Sequence, residues 1–343
     1  MKKLLNTLYV LSADAYLSVD GENVVVNKGD AVAGRFPLHT LQSIEYFGYK
    51  GASPKLMGEC ASRGIDLVFF TPTGKFLARV AGQPAGNVLL RRQQYRLCDD
   101  AERSLEVSRN FIIGKIFNSR WVLERTIRDH PTQVNVHLLQ GKSEELKGYL
   151  AEARSAQSVD ELRGIEGSAA RSYYHAFGEA VLVDDDIFAF RGRNKRPPKD
   201  AVNAMLSFAY TLLANDCASA LNGVGLDPFV GAMHALRPGR KSFALDLMEE
   251  LRSPFADRIV LTCINNRMMS ESSFRFFEDG AVLLNDAGRR KFLEVWQKRK
   301  KDKITHPYLK EKVEWGMVPH IQSLLLARFI RGDIDGYPPF MWK

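Results

Sequence analysis

The hydrophobic pattern of this chain changes character at one place, and that change constrains the fold more than any other feature. Before Gly82-Gln83-Pro84-Ala85-Gly86-Asn87 the apolar residues fall in short β-prone runs. After it they recur at helical spacing over long stretches. The Gly- and Pro-dense segment between the two textures reads as a linker. On its N-terminal side strands are expected at residues 7–11, 15–19, 24–26, 44–47, 65–70 and 76–80, with turn signals at Asp20-Gly21, Asn27-Lys28-Gly29-Asp30 and Pro72-Thr73-Gly74-Lys75. Ser53-Pro54 opens a short helix through residue 63, with Ser53 as cap, Pro54 at the first helical position and Gly64 as its stop. On the C-terminal side helices are expected over residues 89–127, 134–155, 169–182, 202–221, 242–251 and 311–331. The fold class is therefore α+β: a small N-terminal β-rich domain (residues 1–82), a linker (83–97), and a larger all-α-helical domain (98–343).

The chain has 343 residues, 45% of them hydrophobic, which is enough apolar side chain for two cores. No apolar run approaches the ~20 residues of a membrane-spanning helix. The N-terminus turns polar too early for an export signal, so a cytoplasmic protein with no membrane contact is expected. Cys60, Cys98, Cys217 and Cys263 form no CxxC pair and are expected as reduced, mostly buried thiols.

The positive charge is concentrated. Between residues 289 and 312 there are ten basic residues against three acids, a net +7 in a chain whose total is +8. A second block, Arg191, Arg193, Lys195, Arg196 and Lys199, surrounds Pro197-Pro198 and reads as an exposed loop. Either block alone could be a solvated face. Together in one domain they favour a polyanion, nucleic acid first, bound with strong salt dependence.

Four residues could carry chemistry. Glu166, in Gly164-Ile165-Glu166-Gly167-Ser168, is expected at the start of a helix, where a glutamate ordinarily complements the helix dipole. His234 follows the Gly-rich loop of residues 223–231, and a lone histidine there is ordinarily a satisfied buried one. Asp246 and Glu249 are neighbours on one helix face, and two carboxylates there repel unless a cation sits between them. Glu250 and Arg252 are expected to form the solvated side of that helix. Carboxylates with one imidazole suit Mg²⁺ or Mn²⁺, and beside basic blocks the natural chemistry is phosphodiester cleavage or transfer. No GxxxxGK[ST], GxSxG or HExxH motif is present, and the other six histidines show no metal-ligand spacing.

Read in order, several segments carry a resemblance. They include Leu5-Asn6-Thr7-Leu8-Tyr9-Val10, Gly86-Asn87-Val88, Arg91-Arg92-Gln93-Gln94-Tyr95, Glu166-Gly167-Ser168-Ala169-Ala170-Arg171-Ser172-Tyr173-Tyr174, Asp200-Ala201-Val202-Asn203, Gly225-Leu226-Asp227-Pro228 and Arg237-Pro238-Gly239-Arg240. At these separations the chain closely resembles the CRISPR-associated integrase family of spacer acquisition, nearly end to end, with the flavour of a subtype I-C member.

The resemblance implies an N-terminal β-domain that dimerises and a C-terminal helical catalytic domain. It implies a homodimer working with a small ferredoxin-like companion protein on DNA, both prespacer and CRISPR repeat. It also implies Mg²⁺ or Mn²⁺ held by Glu166, His234 and Glu249, with Asp246 one turn earlier as a further acid. Which of Asp246 and Glu249 touches the metal stays open. The reaction implied is transesterification by a prespacer 3′-hydroxyl, with hydrolysis when water replaces it. Phosphate contacts are expected from Arg171, Arg193, Lys195, Arg196, Arg240, Lys241, Arg289, Arg290, Lys298, Arg299 and Lys300. Supporting roles are expected for Asn203, Tyr173 and Tyr174. The competing readings are a hydrolytic metal-dependent nuclease or junction resolvase, and an inactive DNA-binding scaffold.

Overall fold

Each β-prone run of the N-terminal region forms a strand in the computed structural model, which describes residues 6–80, 82 and 88–343. These strands are β1 (Thr7–Val10), β2 (Ala15–Asp20), β3 (Asn23–Lys28), β5 (Ser43–Phe47), β6 (Asp66–Phe70) and β7 (Phe76–Arg79). An unexpected strand, β4 (Ala31–Pro37), lies almost wholly exposed and owes its shape to antiparallel pairing with β3. β2, β3 and β4 form a meander, while the second sheet has the order β1-β5-β6-β7, parallel except for its last pair. Helix α1 (Pro54–Arg63) begins at Ser53, whose hydroxyl accepts from the Leu56 N–H at 3.2 Å. It ends at Gly64, where φ of 65° favours glycine. Leu17, Val24, Ile44, Leu56, Cys60 and Leu67 build one core from both sheets and α1.

The helical region contains α2 (Val88–Asp99), α3 (Ala101–Asp129), α4 (Val136–Ser155), α5 (Val159–Phe177), α6 (Ala201–Gly223), α7 (Ser242–Glu249) and α8 (Arg258–Asn265). The chain continues through β8 (Phe274–Phe276), β9 (Val282–Leu284), α9 (Asp286–Lys301), β10 (Lys303–Thr305), β11 (Lys312–Glu314) and α10 (Val318–Arg331). α3, α4 and α5 pack on one another, and α6 packs on α7 and α10.

Several expectations are corrected. The helix expected over residues 89–127 is two, because the Asp100 carboxylate caps a new one by accepting from the Arg103 N–H at 2.9 Å. α5 starts well before residue 169, capped by Ser158, so Glu166 sits in its middle rather than its first turn. Gly164 and Gly167 are tolerated inside it. Residues 312–314 form a strand, and the last helix begins only at Val318. The region is not all-helical, since β8–β9 and β10–β11 form two two-stranded sheets, the second antiparallel.

The compact units also differ from the expected division. One is Met1–Ala85 with Leu284–Lys301, the other Gly86–Leu283 with Asp302–Lys343. α9 thus belongs with the β-domain, burying Phe292, Leu293 and Trp296. Leu293 lines one pocket with Leu8, Val10 and Phe36. Of the expected linker, residues 83–87 lie outside the described residues, and from Val88 the chain is helix α2. Among the described residues no helix is long and apolar enough to cross a membrane. All four cysteines are free thiols, three of them buried.

Candidate active site

α3, α5, α7 and the loop before α7 converge on one cluster of charge. Lys115 lies in the apolar segment Phe111-Ile112-Ile113-Gly114-Lys115-Ile116 of α3 and is buried. Its ammonium is paired with Glu166 of α5 and lies 2.7 Å from Glu249 Oε2 of α7. Arg252 follows on a π-helical turn, Arg252–Asp257, and its Nη2 lies 3.0 Å from Glu249 Oε1. His234 Nε2 faces the same oxygen at 3.7 Å. Burial works against an ionised Glu249, but Arg252, Lys115 and His234 outweigh it and hold its carboxyl below the usual carboxylate range. Burial likewise opposes the charged form of Lys115, and Glu249 and Glu166 more than restore it.

Asp246 has a different task. Oδ2 accepts from the N–H groups of Ala232 and Met233, at 2.8 and 3.1 Å. Oδ1 accepts from the His234 N–H at 2.9 Å and lies 2.6 Å from His234 Nδ1. A carboxylate can only accept, so Nδ1 carries a ring proton, and Nε2 is the ring nitrogen turned toward Glu249. The approach of loop to helix depends on Gly231. A Cβ there would lie 2.7 Å from Asp246 Oδ2 and 2.7 Å from the Ser242 carbonyl carbon. The loop is fixed from α2, where Gln94 donates to the carbonyls of Asp227 and Val230 at 2.8 and 2.9 Å. Tyr95 donates to the Asp227 carboxylate at 2.8 Å.

Glu166 and Glu249 are therefore brought together on Lys115, and His234, with Asp246 behind it, faces the other oxygen of Glu249. Glu250 and Arg252 are not the solvated side expected of them. Glu250 is fully buried, accepting from Tyr337, from Gln322 at 3.1 Å and from the Phe340 N–H at 2.6 Å. Asn118 of α3 donates to the Glu250 and Phe340 carbonyls at 2.7 and 2.6 Å. It also accepts from the Trp342 N–H at 2.9 Å, so residues 337–342 brace the back of the site.

Beneath the site, Asp257 Oδ2 accepts from Tyr173 at 2.9 Å, and its Oδ1 from Tyr210 at 2.5 Å. Tyr174 and Tyr210 share a hydrogen bond of 2.6 Å, and Arg252 lies over the Tyr210 ring at 5.0 Å. Tyr173 and Tyr174, the two tyrosines expected to support the site, both belong to this buried network. Asn203 is fully buried and ties down the basic loop, accepting from Arg193 at 2.7 Å and donating to the Gly192 carbonyl at 2.9 Å. Arg252 was expected only on the solvated side of its helix, and Lys115, Tyr210 and Asp257 were not singled out from the sequence. The one signal it offered was a lone lysine in an apolar helical stretch.

The expected phosphate contacts divide. Lys195 and Arg196 are exposed, and Lys195 senses both Arg252 and Glu166. Partial burial, then Arg252, Arg193 and Arg196, lower the pKa of Lys195. Burial and then Arg237, with Arg196 and Arg163 among its other neighbours, lower that of Arg240. A positive rim thus faces the carboxylates. Arg171 is exposed beside Ser168. Arg193 and Lys241 are engaged inside, the latter with Asn215 at 2.7 Å. Arg289 and Lys300 correct an expectation, because both are buried, and Arg289 is tied to the Leu284 carbonyl and Asp286. On α9 only Arg290 and Lys298 of the named set are exposed, and Arg299 is half-buried.

Replacing Arg196 and Arg240 by glutamine is expected to weaken DNA binding. The salt dependence, read as log Kd against log salt by fluorescence anisotropy, should flatten by about 0.9 for each phosphate no longer neutralised. An unchanged slope would take both residues off the DNA path.

The donor types are those a divalent cation takes: two carboxylates share one buried ammonium, and an imidazole nitrogen faces the second oxygen of Glu249. Glu249 Oε2 is buried with the Lys115 ammonium 2.7 Å away as the cation facing it. Among the described residues no three His, Cys, Asp or Glu side chains are pregathered at metal-binding separations. The lysine stands between them instead.

The sequence model of the family described as CRISPR associated protein Cas1 matches residues 8–298. The chain is 44% identical over 343 residues to the CRISPR-associated endonuclease Cas1 1 of Chlorobaculum tepidum, covering all of both chains. It is 46% identical over 347 residues to the CRISPR-associated endonuclease Cas1 2 of Rhodospirillum rubrum, again covering both completely. Its fold is similar to a casposase bound to integration product, with a TM-score of 0.85 and 22% identity over 99% of this chain and 95% of that one. It is also similar to a chain of a Cas6-RT-Cas1–Cas2 complex, with a TM-score of 0.82 and 21% identity over 100% of this chain and 36% of that one.

Proposed function

The chain belongs to the CRISPR-associated Cas1 family, and from that premise we propose that it is a metal-dependent DNA endonuclease and integrase of CRISPR adaptation. The substrate is a prespacer whose 3′-hydroxyl attacks a phosphodiester of the repeat, forming one P–O bond as another breaks. The observation that carries this reading is the pairing of Glu166 and Glu249 on one buried cation, with His234 Nε2 facing the other oxygen of Glu249. Those three residues would hold Mg²⁺ or Mn²⁺, with Asp246 fixing the imidazole. The bound cation would neutralise charge developing on the phosphate and its leaving oxygen.

The chain's own residues do the rest. Asp246 keeps the proton on Nδ1, so that Nε2 stays free to coordinate. Arg252, lying over the Tyr210 ring, holds Glu249 against rotation. Lys195, Arg196 and Arg240 place the sugar–phosphate backbone so that nucleophile and phosphorus meet in line. A complete donor set argues against an inactive scaffold. The subtype I-C placement, the homodimer and the small ferredoxin-like companion belong to the same proposal.

The test is a repeat-bearing plasmid offered to the protein with a labelled prespacer, in Mn²⁺ or in EDTA. Label joined to the plasmid in Mn²⁺ alone is the expected result. Cut but unjoined plasmid would favour the hydrolytic reading, and equal joining in EDTA would remove the metal from the mechanism.

A further inference from the structure

The Lys115 ammonium occupies a position that the function proposed above would give to something else. The side chain is only 9% exposed, and its two carboxylate partners lie on different helices, far away in sequence. Both partners are also the carboxylates that would hold a divalent ion. An ammonium and a dication cannot share them at close range, because like charges a few ångströms apart in a buried site repel strongly. Without some cation, Glu166 and Glu249 would be two anions facing each other. Arg252 is ion-paired with Glu249 Oε1 alone and reaches Glu166 only at longer range. A cleft beside Lys115 is lined by Ser119, Tyr174, Arg252 and Ser253. The Ser119 and Ser253 hydroxyls, 2.7 Å apart, stand there as acceptors for a displaced ammonium.

We propose that Lys115 is a built-in counter-cation. It closes the Glu166–Glu249 pair while the site is metal-free and must move aside toward Ser119 and Ser253 when a divalent cation enters. Its displacement is part of every loading event, so Lys115 sets how tightly the metal binds. The proposal rests on the metal reading of this site, and its test separates the two.

Mn²⁺ alone is titrated calorimetrically into the full chain, into Lys115→Met, into Lys115→Arg and into Glu249→Gln. Thermal melts of each are recorded in EDTA and in Mn²⁺. The expected result is Mn²⁺ binding at least ten-fold tighter for Lys115→Met than for the native chain, with a larger Mn²⁺-induced rise in melting temperature. Lys115→Arg, which keeps the internal cation, should bind no tighter than the native chain. Lys115→Met should lose stability in EDTA, and a variant that is folded only with Mn²⁺ present supports the proposal equally. Equal or weaker binding by folded Lys115→Met, where the native chain binds and Glu249→Gln does not, overturns the counter-cation role and leaves the metal site standing. Native binding that Glu249→Gln leaves intact overturns both.

Discussion

Replacing Glu249 by glutamine should lower Mn²⁺-dependent strand joining by on the order of a thousand-fold, with metal-free DNA binding changed less than about two-fold. The substitution keeps the shape of the side chain and removes the charge on which Lys115, Arg252 and His234 Nε2 converge. Asp246→Asn should cost less, about ten- to a hundred-fold. Asp246 spends both oxygens on the loop and the His234 ring, so its loss misplaces the imidazole without removing a donor from the cation position. The pair of variants therefore assigns the third ligand. A severe Asp246→Asn defect beside a mild Glu249→Gln defect would reverse the assignment. Joining rates and anisotropy-based DNA affinities are the two measurements required, with melting curves to confirm that both variants fold.

The second large effect is on stability. Burial lifts the Glu250 carboxyl from its ordinary 4.5 to about 7, against hydrogen bonds from Tyr337, Phe340 and Gln322 that favour the anion. The folded chain thus holds this proton more tightly than the unfolded chain does. Its contribution is complete below pH 4.5 and is lost as pH rises through 7, a swing of roughly 3 kcal/mol for a fully buried group. Asp257, raised by burial from 3.8 to about 6, acts in the same direction over a lower window. Glu249 is shifted the other way, so its contribution is present above 4.5 and lost in more acid solution. The melting temperature should therefore fall as the pH is raised from 6 to 8. Glu250→Gln should flatten that slope, although its amide cannot accept from all three donors and the variant will be less stable throughout. A Glu250→Gln slope equal to the native one would show that another group governs this range.

The periodic elements were largely legible in advance because their determinants are local. Ser53, Pro54 and Gly64 bound α1 through interactions within a few residues, and short β-prone runs became strands. Where local reading failed, a cap or a pairing decided. Asp100 divided a helix that periodicity alone would run together, and β4 formed because β3 offered it hydrogen bonds. The chemistry-bearing residues were legible in part. The residue types of Glu166, His234, Asp246 and Glu249 suggested a metal, and the family resemblance supplied their grouping.

By itself, then, the sequence determined the order of most elements, the change from strand to helix texture, and the identity of four candidate site residues. Only the tertiary structure decided which charges are buried and what they touch. Lys115 reads as one lysine in a helix until α5 and α7 bring carboxylates to it, and Arg289 and Lys300 read as free positive charge until they are seen buried. Glu250 looks like the wet side of an amphipathic helix until residues 337–340 close over it. The physical reason is that a helix or a turn is set by neighbours in sequence. The cost of burying a charge is set by partners that only folding brings within reach.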